Sequence, residues 1–221
     1  MKKVYFISGL GADRRVYSFL DLSFCEPVYV DWIKPLKDET LESYALRLRK
    51  TIPENNPVVV GLSFGGMLAT EMAKADRGLH AIIISSTKTA DEFPKYLRIG
   101  KHLPIYKWLP GKMMKRTAHL IKWVFGRNGK EQTKVFHAII RDTDPDFTKW
   151  AITAILNWKN KEVPKNLIHL HGTADRLLPS RLVKADYIIK GGNHVMPMDS
   201  HVEVSKLLKE LIAGFSSLPP R

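Results

Sequence analysis

The stretch Val58-Val59-Val60-Gly61-Leu62-Ser63-Phe64-Gly65-Gly66-Met67 decides how this chain folds. Three β-branched residues in a row suit a strand buried on both faces. The continuation Met67-Leu68-Ala69-Thr70-Glu71-Met72 reads as helix. Between them lies a Gly-x-Ser-x-Gly turn. A strand that stops in a tight turn and reverses into a helix forces the serine into a strained backbone conformation. Glycines two residues to either side leave room for neighbouring backbone. The Ser63 hydroxyl is then expected above the end of the sheet, beside the positive end of the helix.

The same alternation extends on both sides. Val4–Ser8 reads as a short buried strand, followed by Gly9-Leu10-Gly11-Ala12 and by Asp13, a cap for a short helix through Val16 and Phe19-Leu20. Val28–Trp32 reads as a second strand. Leu41, Tyr44-Ala45, Leu48 and Ile52 recur at helical spacing behind Asp38 or Thr40 as the cap. Ala81–Ser85 is the next strand. Short all-apolar strands alternating with helices indicate a parallel sheet covered on both faces.

At Thr87 the alternation stops, and no strand pattern returns until about Lys165. Asp144-Pro145 marks a helix start, with Phe147, Trp150-Ala151, Ala154-Ile155 and Trp158 forming one apolar stripe. Packing is the expected role of Trp150 and Trp158. An insertion of roughly 75 residues is too long for a plain loop and points to a helical lid. The sheet resumes at Leu167–His171 and Asp186–Ile189, and an amphipathic helix through Val204, Leu207-Leu208 and Leu211-Ile212 closes the chain. The expected organisation is therefore an α/β core over residues 1–86 and 166–221, doubly wound on a mostly parallel sheet of about six strands, with a helical cap over 87–165.

Composition narrows the function classes. The 221 residues suffice for one sizeable core, and 44% hydrophobic with 26% charged residues is ordinary for a soluble globular protein. Met1-Lys2-Lys3 before Val4–Ile7 resembles the start of an export signal, but the apolar run ends at Gly9 and meets Asp13-Arg14-Arg15, so a strand is expected instead. No apolar run approaches the roughly 20 residues of a membrane span. Cys25 is the only cysteine, which rules out an intrachain disulfide or a cysteine-held metal and fits a cytoplasmic location. Of the net charge of +13, the segment Lys95–Lys134 carries +10, with eleven Lys or Arg against Glu131 alone. Within it, Lys112–Phe125 interleaves basic and apolar residues. Such a stretch can be a solvated basic face, rest on an anionic membrane surface, or draw in an anionic substrate. No nucleic-acid-binding module accompanies the charge, so nucleic acid is not an expected partner.

A serine hydroxyl needs a base to take its proton and a group to orient that base. His171-Gly172-Thr173-Ala174-Asp175 places Asp175 in the loop after one late strand, and Gly191-Gly192-Asn193-His194 places His194 in the loop after the last. All C-terminal ends of a parallel sheet open on one side, so Ser63, Asp175 and His194 can converge there. Asp91 and Asp199 are rivals for the acid, and His201 for the base. In the loop after the first strand, small residues let the Leu10 N–H point at a reacting carbonyl. Paired with the Phe64 N–H it would form an oxyanion hole, each donor contributing about 3 kcal/mol. His169 and His171 lie two apart on a strand, a spacing that could grip a metal, but no further ligands stand near them and no metal site is expected.

With these features together, the chain resembles the α/β-hydrolase superfamily. Gly61-Leu62-Ser63-Phe64-Gly65-Gly66 matches its nucleophile elbow, His171-Gly172-Thr173-Ala174-Asp175 its acid loop and Gly192-Asn193-His194 its histidine loop, in the expected order. The resemblance implies Ser63 as nucleophile, His194 as base then acid, and Asp175 as its orienter. Two departures are visible: Ser8-Gly9 stands where the family often has His-Gly, and the extra N-terminal strands of larger members are missing. The resulting expectation is a cofactor-independent serine hydrolase acting on a small carboxylic ester or thioester. The Leu10 and Phe64 side chains are expected to line its acyl pocket. A C–C bond hydrolase or lyase acting on a carboxylated substrate, and a non-catalytic binding protein on the same fold, are the alternatives. A serine at the elbow, rather than an aspartate, argues against a dehalogenase.

Overall fold

Every central strand is a short apolar run that reaches into two hydrophobic layers, and this sets the architecture. The computed structural model describes residues 1–100 and 129–216; the basic stretch 112–125 lies outside them. Six strands form one sheet: β1 (Lys3–Ile7), β2 (Glu26–Tyr29), β3 (Val58–Leu62), β4 (His80–Ile84), β5 (Leu167–Gly172) and β6 (Tyr187–Ile189). Their order is β2-β1-β3-β4-β5-β6, and every neighbouring pair is parallel.

Side chains alternate between the faces, as the two-residue period of a strand requires. Tyr5, Ile7, Val59, Ala81 and Ile83 enter one layer with α1 (Leu41–Arg49) and α2 (Phe64–Ala75). Val4, Phe6, Val58, Val60, Leu62, Ile82 and Ile84 enter the other, under the 3-10 turn Arg14–Tyr17 and the C-terminal helix. Among the described residues, the α-helices between β4 and β5 are α3 (Lys95–Gly100), α4 (Lys130–Asp142) and α5 (Pro145–Asn157); after β6 come α6 (Met196–Asp199) and α7 (His201–Ser216). Among the described residues, no helix is long and apolar enough to cross a membrane.

Local signals act as their chemistry dictates. Asp13 caps the first turn by accepting from the Arg15 amide at 2.9 Å, and Thr40, rather than Asp38, caps α1 by accepting from Ser43 N at 3.2 Å. Asp144 caps α5 ahead of Pro145. One strand sits two to three residues earlier than its sequence pattern suggests. β2 ends at Tyr29, and Trp32 turns inward to pack on Phe64 and Phe147, with centroids 5.8 and 4.9 Å away. The half-buried indole gains these ring contacts, and its Nε1 donates to Ala12 O at 3.3 Å.

Trp158 is core, as expected. It is 3% exposed, and its Nε1 donates at 2.7 Å to Glu71 of α2, a carboxylate also paired with Lys74 at 2.8 Å. The Trp158→Phe substitution removes that donor from a buried acceptor and is expected to destabilise the protein by roughly 1–3 kcal/mol. Urea unfolding measures this directly, and an unchanged midpoint would show that Glu71 finds another partner. The chain around α4 is fastened to the loop after β1: Arg15 bridges Asp13 and Asp142, and the Thr143 hydroxyl donates to Gly11 O at 2.9 Å.

Candidate active site

The chain runs from β1 outward to β2, then returns to add β3 on the other side of β1. In such sheets a crevice opens where the order reverses. The two loops that flank this crevice carry Gly9-Leu10 and Ser63. Ser63 has φ 51° and ψ −114°, a left-handed region costly for any residue with a side chain. The surroundings hold it there. Its amide donates to Ile84 O at 2.9 Å, and its carbonyl accepts from Gly66 N at 2.9 Å and from the Ser86 hydroxyl at 2.7 Å. Glycine is obligatory on either side: a Cβ on Gly61 would run into the backbone of Gly65, and one on Gly65 into the carbonyls of Ile7 and Ser8.

His194 arrives in the loop after β6 and is 3% exposed. Its Nε2 lies 2.9 Å from Ser63 Oγ and its Nδ1 2.8 Å from Asp175 Oδ2. A carboxylate can only accept, so Nδ1 carries the proton, and the Nε2 lone pair faces the serine O–H. Asp175 is 4% exposed, and its second oxygen accepts from the amides of Leu177 at 2.9 Å and Leu178 at 2.8 Å. Burial by itself raises the Asp175 pKa, but His194, the Leu178 amide and His171 outweigh it and hold the carboxyl below its ordinary value. A depressed carboxyl pKa contributes stability that is complete above the unfolded value near 3.8 and is lost as pH falls through the lower folded value. The stability difference between the wild type and Asp175→Asn, measured by denaturant titration, is therefore expected to be level at neutral pH and to shrink in that acid window. A difference that stays constant through it would mean that Asp175 gains nothing from being ionised.

The rival residues lie elsewhere. Asp91 is exposed on a 3-10 turn; Asp199 is half-buried, with one oxygen accepting from the Ser200 hydroxyl at 2.6 Å and its carboxylate held by the Asn193 amide rather than by His194. His201 sits over the Phe19 ring, its Nδ1 3.3 Å from Met198 O. His169 and His171 share one face of β5 and bond to each other, Nε2 to Nδ1, at 3.1 Å. Phe64 is the first residue of α2, which puts its amide at a helix N-terminus, and Gly9 runs alongside the Ser63 side chain.

An open cleft of about 710 Å³ is walled by Gly11-Ala12, Trp32, Phe147 and Trp150, with Lys34 and Lys37 among its other lining residues; Ser63, Asp175 and His194 are not among them. Phe64 and Leu10 do not line it. The Phe64 ring lies one layer behind, with centroids 5.8, 6.4 and 6.0 Å from Trp32, Phe147 and Trp150. Trp150 thus belongs to both core and cleft; its Nε1 donates to Glu39 O at 3.0 Å.

Some contributors escape sequence reasoning. Ser85 also has positive φ, 47°, and its hydroxyl lies 3.4 Å from Asn193 O in the histidine loop, while Ser86 braces Ser63. The available signal was their place just past β4, the strand next to the one that carries the elbow.

A sequence model described as the alpha/beta hydrolase family matches residues 4–207. Among curated proteins, none matches significantly. Several solved structures share the fold. The thermophilic esterase from Thermogutta terrifontis, with malate bound, is 16% identical, with a TM-score of 0.70 over 97% of this chain and 90% of that one. An esterase from Exiguobacterium antarcticum is 14% identical, TM-score 0.71, over 98% and 92%. A structure from a study of carboxylesterases of Nitrososphaera gargenis is 14% identical, TM-score 0.74, over 97% and 91%. At these identities the likeness speaks for the fold alone.

Proposed function

The chain belongs to the alpha/beta hydrolase family, and from that premise we propose that it is a serine hydrolase cleaving small carboxylic esters or thioesters through Ser63, His194 and Asp175. The observation that carries this reading is the unbroken hydrogen-bond chain from the Ser63 hydroxyl through His194 to Asp175, at 2.9 and 2.8 Å. His194 Nε2 takes the hydroxyl proton as Ser63 Oγ attacks the carbonyl, and Asp175 stabilises the imidazolium that forms. The oxyanion rests on the Leu10 and Phe64 amides. His194 then protonates the departing alcohol or thiol, leaving an acyl-serine. Water, deprotonated by the same imidazole, releases the acid and restores the hydroxyl. The chain, the ester and water supply every proton and electron pair in this cycle.

In this reading the segment 87–165, whose described residues include α3, α4 and α5, is the cap, and the cleft walled by Trp32, Phe147 and Trp150 takes the larger apolar part of the substrate. The test is labelling by a fluorophosphonate probe, followed by turnover of a panel of p-nitrophenyl esters and acyl thioesters. Stoichiometric labelling with turnover of at least one class is expected. A folded protein that neither labels nor turns over any of them would overturn the proposal.

A further inference from the structure

The carboxylate oxygen that meets His194 also has a second imidazole nearby. His171, wholly buried, places its Nε2 2.7 Å from Leu178 O and 3.5 Å from Asp175 Oδ2. A carbonyl oxygen can only accept, so His171 Nε2 carries a proton. Its Nδ1 lies 3.1 Å from Nε2 of His169, which is also wholly buried. In a neutral pair, His169 Nε2–H must donate to that lone pair, leaving His169 Nδ1 a bare acceptor. That atom is buried with no hydrogen-bond partner, as this assignment requires. Any other arrangement would bury an unpaired N–H or a charge there.

We infer that His169 and His171 are a tautomer-locked pair that positions Asp175, and through it His194, for the hydrolysis proposed above. His169 fixes which nitrogen of His171 bears hydrogen. His171 then ties down Leu178 O, while the Leu177 and Leu178 amides tie down Asp175 Oδ1. The turn 175–178 is thereby clamped at both polarities, and Tyr96 of α3 holds Leu177 O as well. His171 Nε2 also stands 3.5 Å from Oδ2, the oxygen that His194 uses. The charged and titratable groups facing the pair are Asp175, His194, Glu92 and Lys88, with Asp186 accepting from the His169 amide. Burial lowers both imidazole pKa values, further for His169, which keeps the pair neutral. This inference rests on the hydrolase reading for its catalytic consequence, but not for the pairing itself.

The test has two arms. Long-range nitrogen–proton NMR of the intact protein is expected to show both imidazoles as the neutral Nε2–H tautomer at neutral pH. A His171 that is Nδ1–H or doubly protonated would overturn the pairing. In the kinetic arm, His171→Phe keeps the ring but loses the donor and is expected to lower kcat by roughly 10–100-fold with KM little changed, by analogy with the loss of a hydrogen-bond partner that orients a metal-ligating residue. His171→Gln keeps an N–H where Nε2 stands and is expected to recover most of that loss. Should His171→Phe not fold, His169→Leu removes only the donor to Nδ1, and it should lower kcat while shifting the His171 tautomer. Variants as fast as the wild type would overturn the positioning role. A wild type inert to every ester and to fluorophosphonate would sink the hydrolase reading instead, leaving the NMR arm to decide the pairing.

Discussion

Replacing Ser63 by alanine is expected to lower kcat by about a millionfold and abolish fluorophosphonate labelling, with the fold intact. The size follows from the chain's cooperative character. His194 has no proton to take once the hydroxyl is gone, so the whole relay falls silent together. Alanine keeps the Cβ, and the backbone bonds that hold position 63 (to Ile84 O and from Gly66 N and Ser86) do not involve the hydroxyl. The left-handed φ of 51° is therefore retained, and the melting temperature is expected to stay near the wild-type value. Active-site titration and a thermal melt on the same preparation make the measurement. Labelling that persists on another residue would show that the nucleophile has been misplaced.

Asp175→Asn is expected to cost about ten thousandfold in kcat, because it reverses the tautomer that His194 needs. The amide of the new asparagine cannot choose its orientation freely. Asp175 Oδ1 accepts from the Leu177 and Leu178 amides, so the asparagine oxygen must stay there. Its NH₂ then faces His194 Nδ1, which becomes an acceptor, and the proton moves to Nε2. Two donors, the Ser63 O–H and the imidazole N–H, then face each other, and no lone pair remains to take the serine proton. Steady-state kinetics across pH measures the loss. A fall of less than roughly tenfold would mean that some other carboxylate orients the imidazole. Asp91→Asn is the control for that outcome: Asp91 is exposed on a 3-10 turn, and the substitution should leave kcat near the wild-type value.

Much of this arrangement is legible before any coordinates. Val58–Val60 and Ala81–Ile84 announce strands buried on both faces, because a run without polar residues has no side to offer to water. Gly61 and Gly65 announce close backbone approach, and Asp13, Thr40 and Asp144 announce helix starts, through interactions within a few residues. The end of β2 was less legible. Whether Trp32 continues a strand or turns inward depends on Phe64 and Phe147, which are far away in the chain. The helix periodicity marks Trp150 as a packing residue but cannot show that the same ring also walls a cleft.

The sequence by itself determined the alternation of strands and helices, the strained serine turn and the side of the sheet on which the loops open, since each follows from local periodicity and backbone sterics. Only the tertiary structure decided which carboxylate meets His194, 19 residues away, and that His194 reaches Ser63 across 131. It also decided that His171 stands near Asp175 and that Ser85 and Ser86 brace two loops at once. Those contacts depend on strand order and register, which bring together side chains that no local pattern connects.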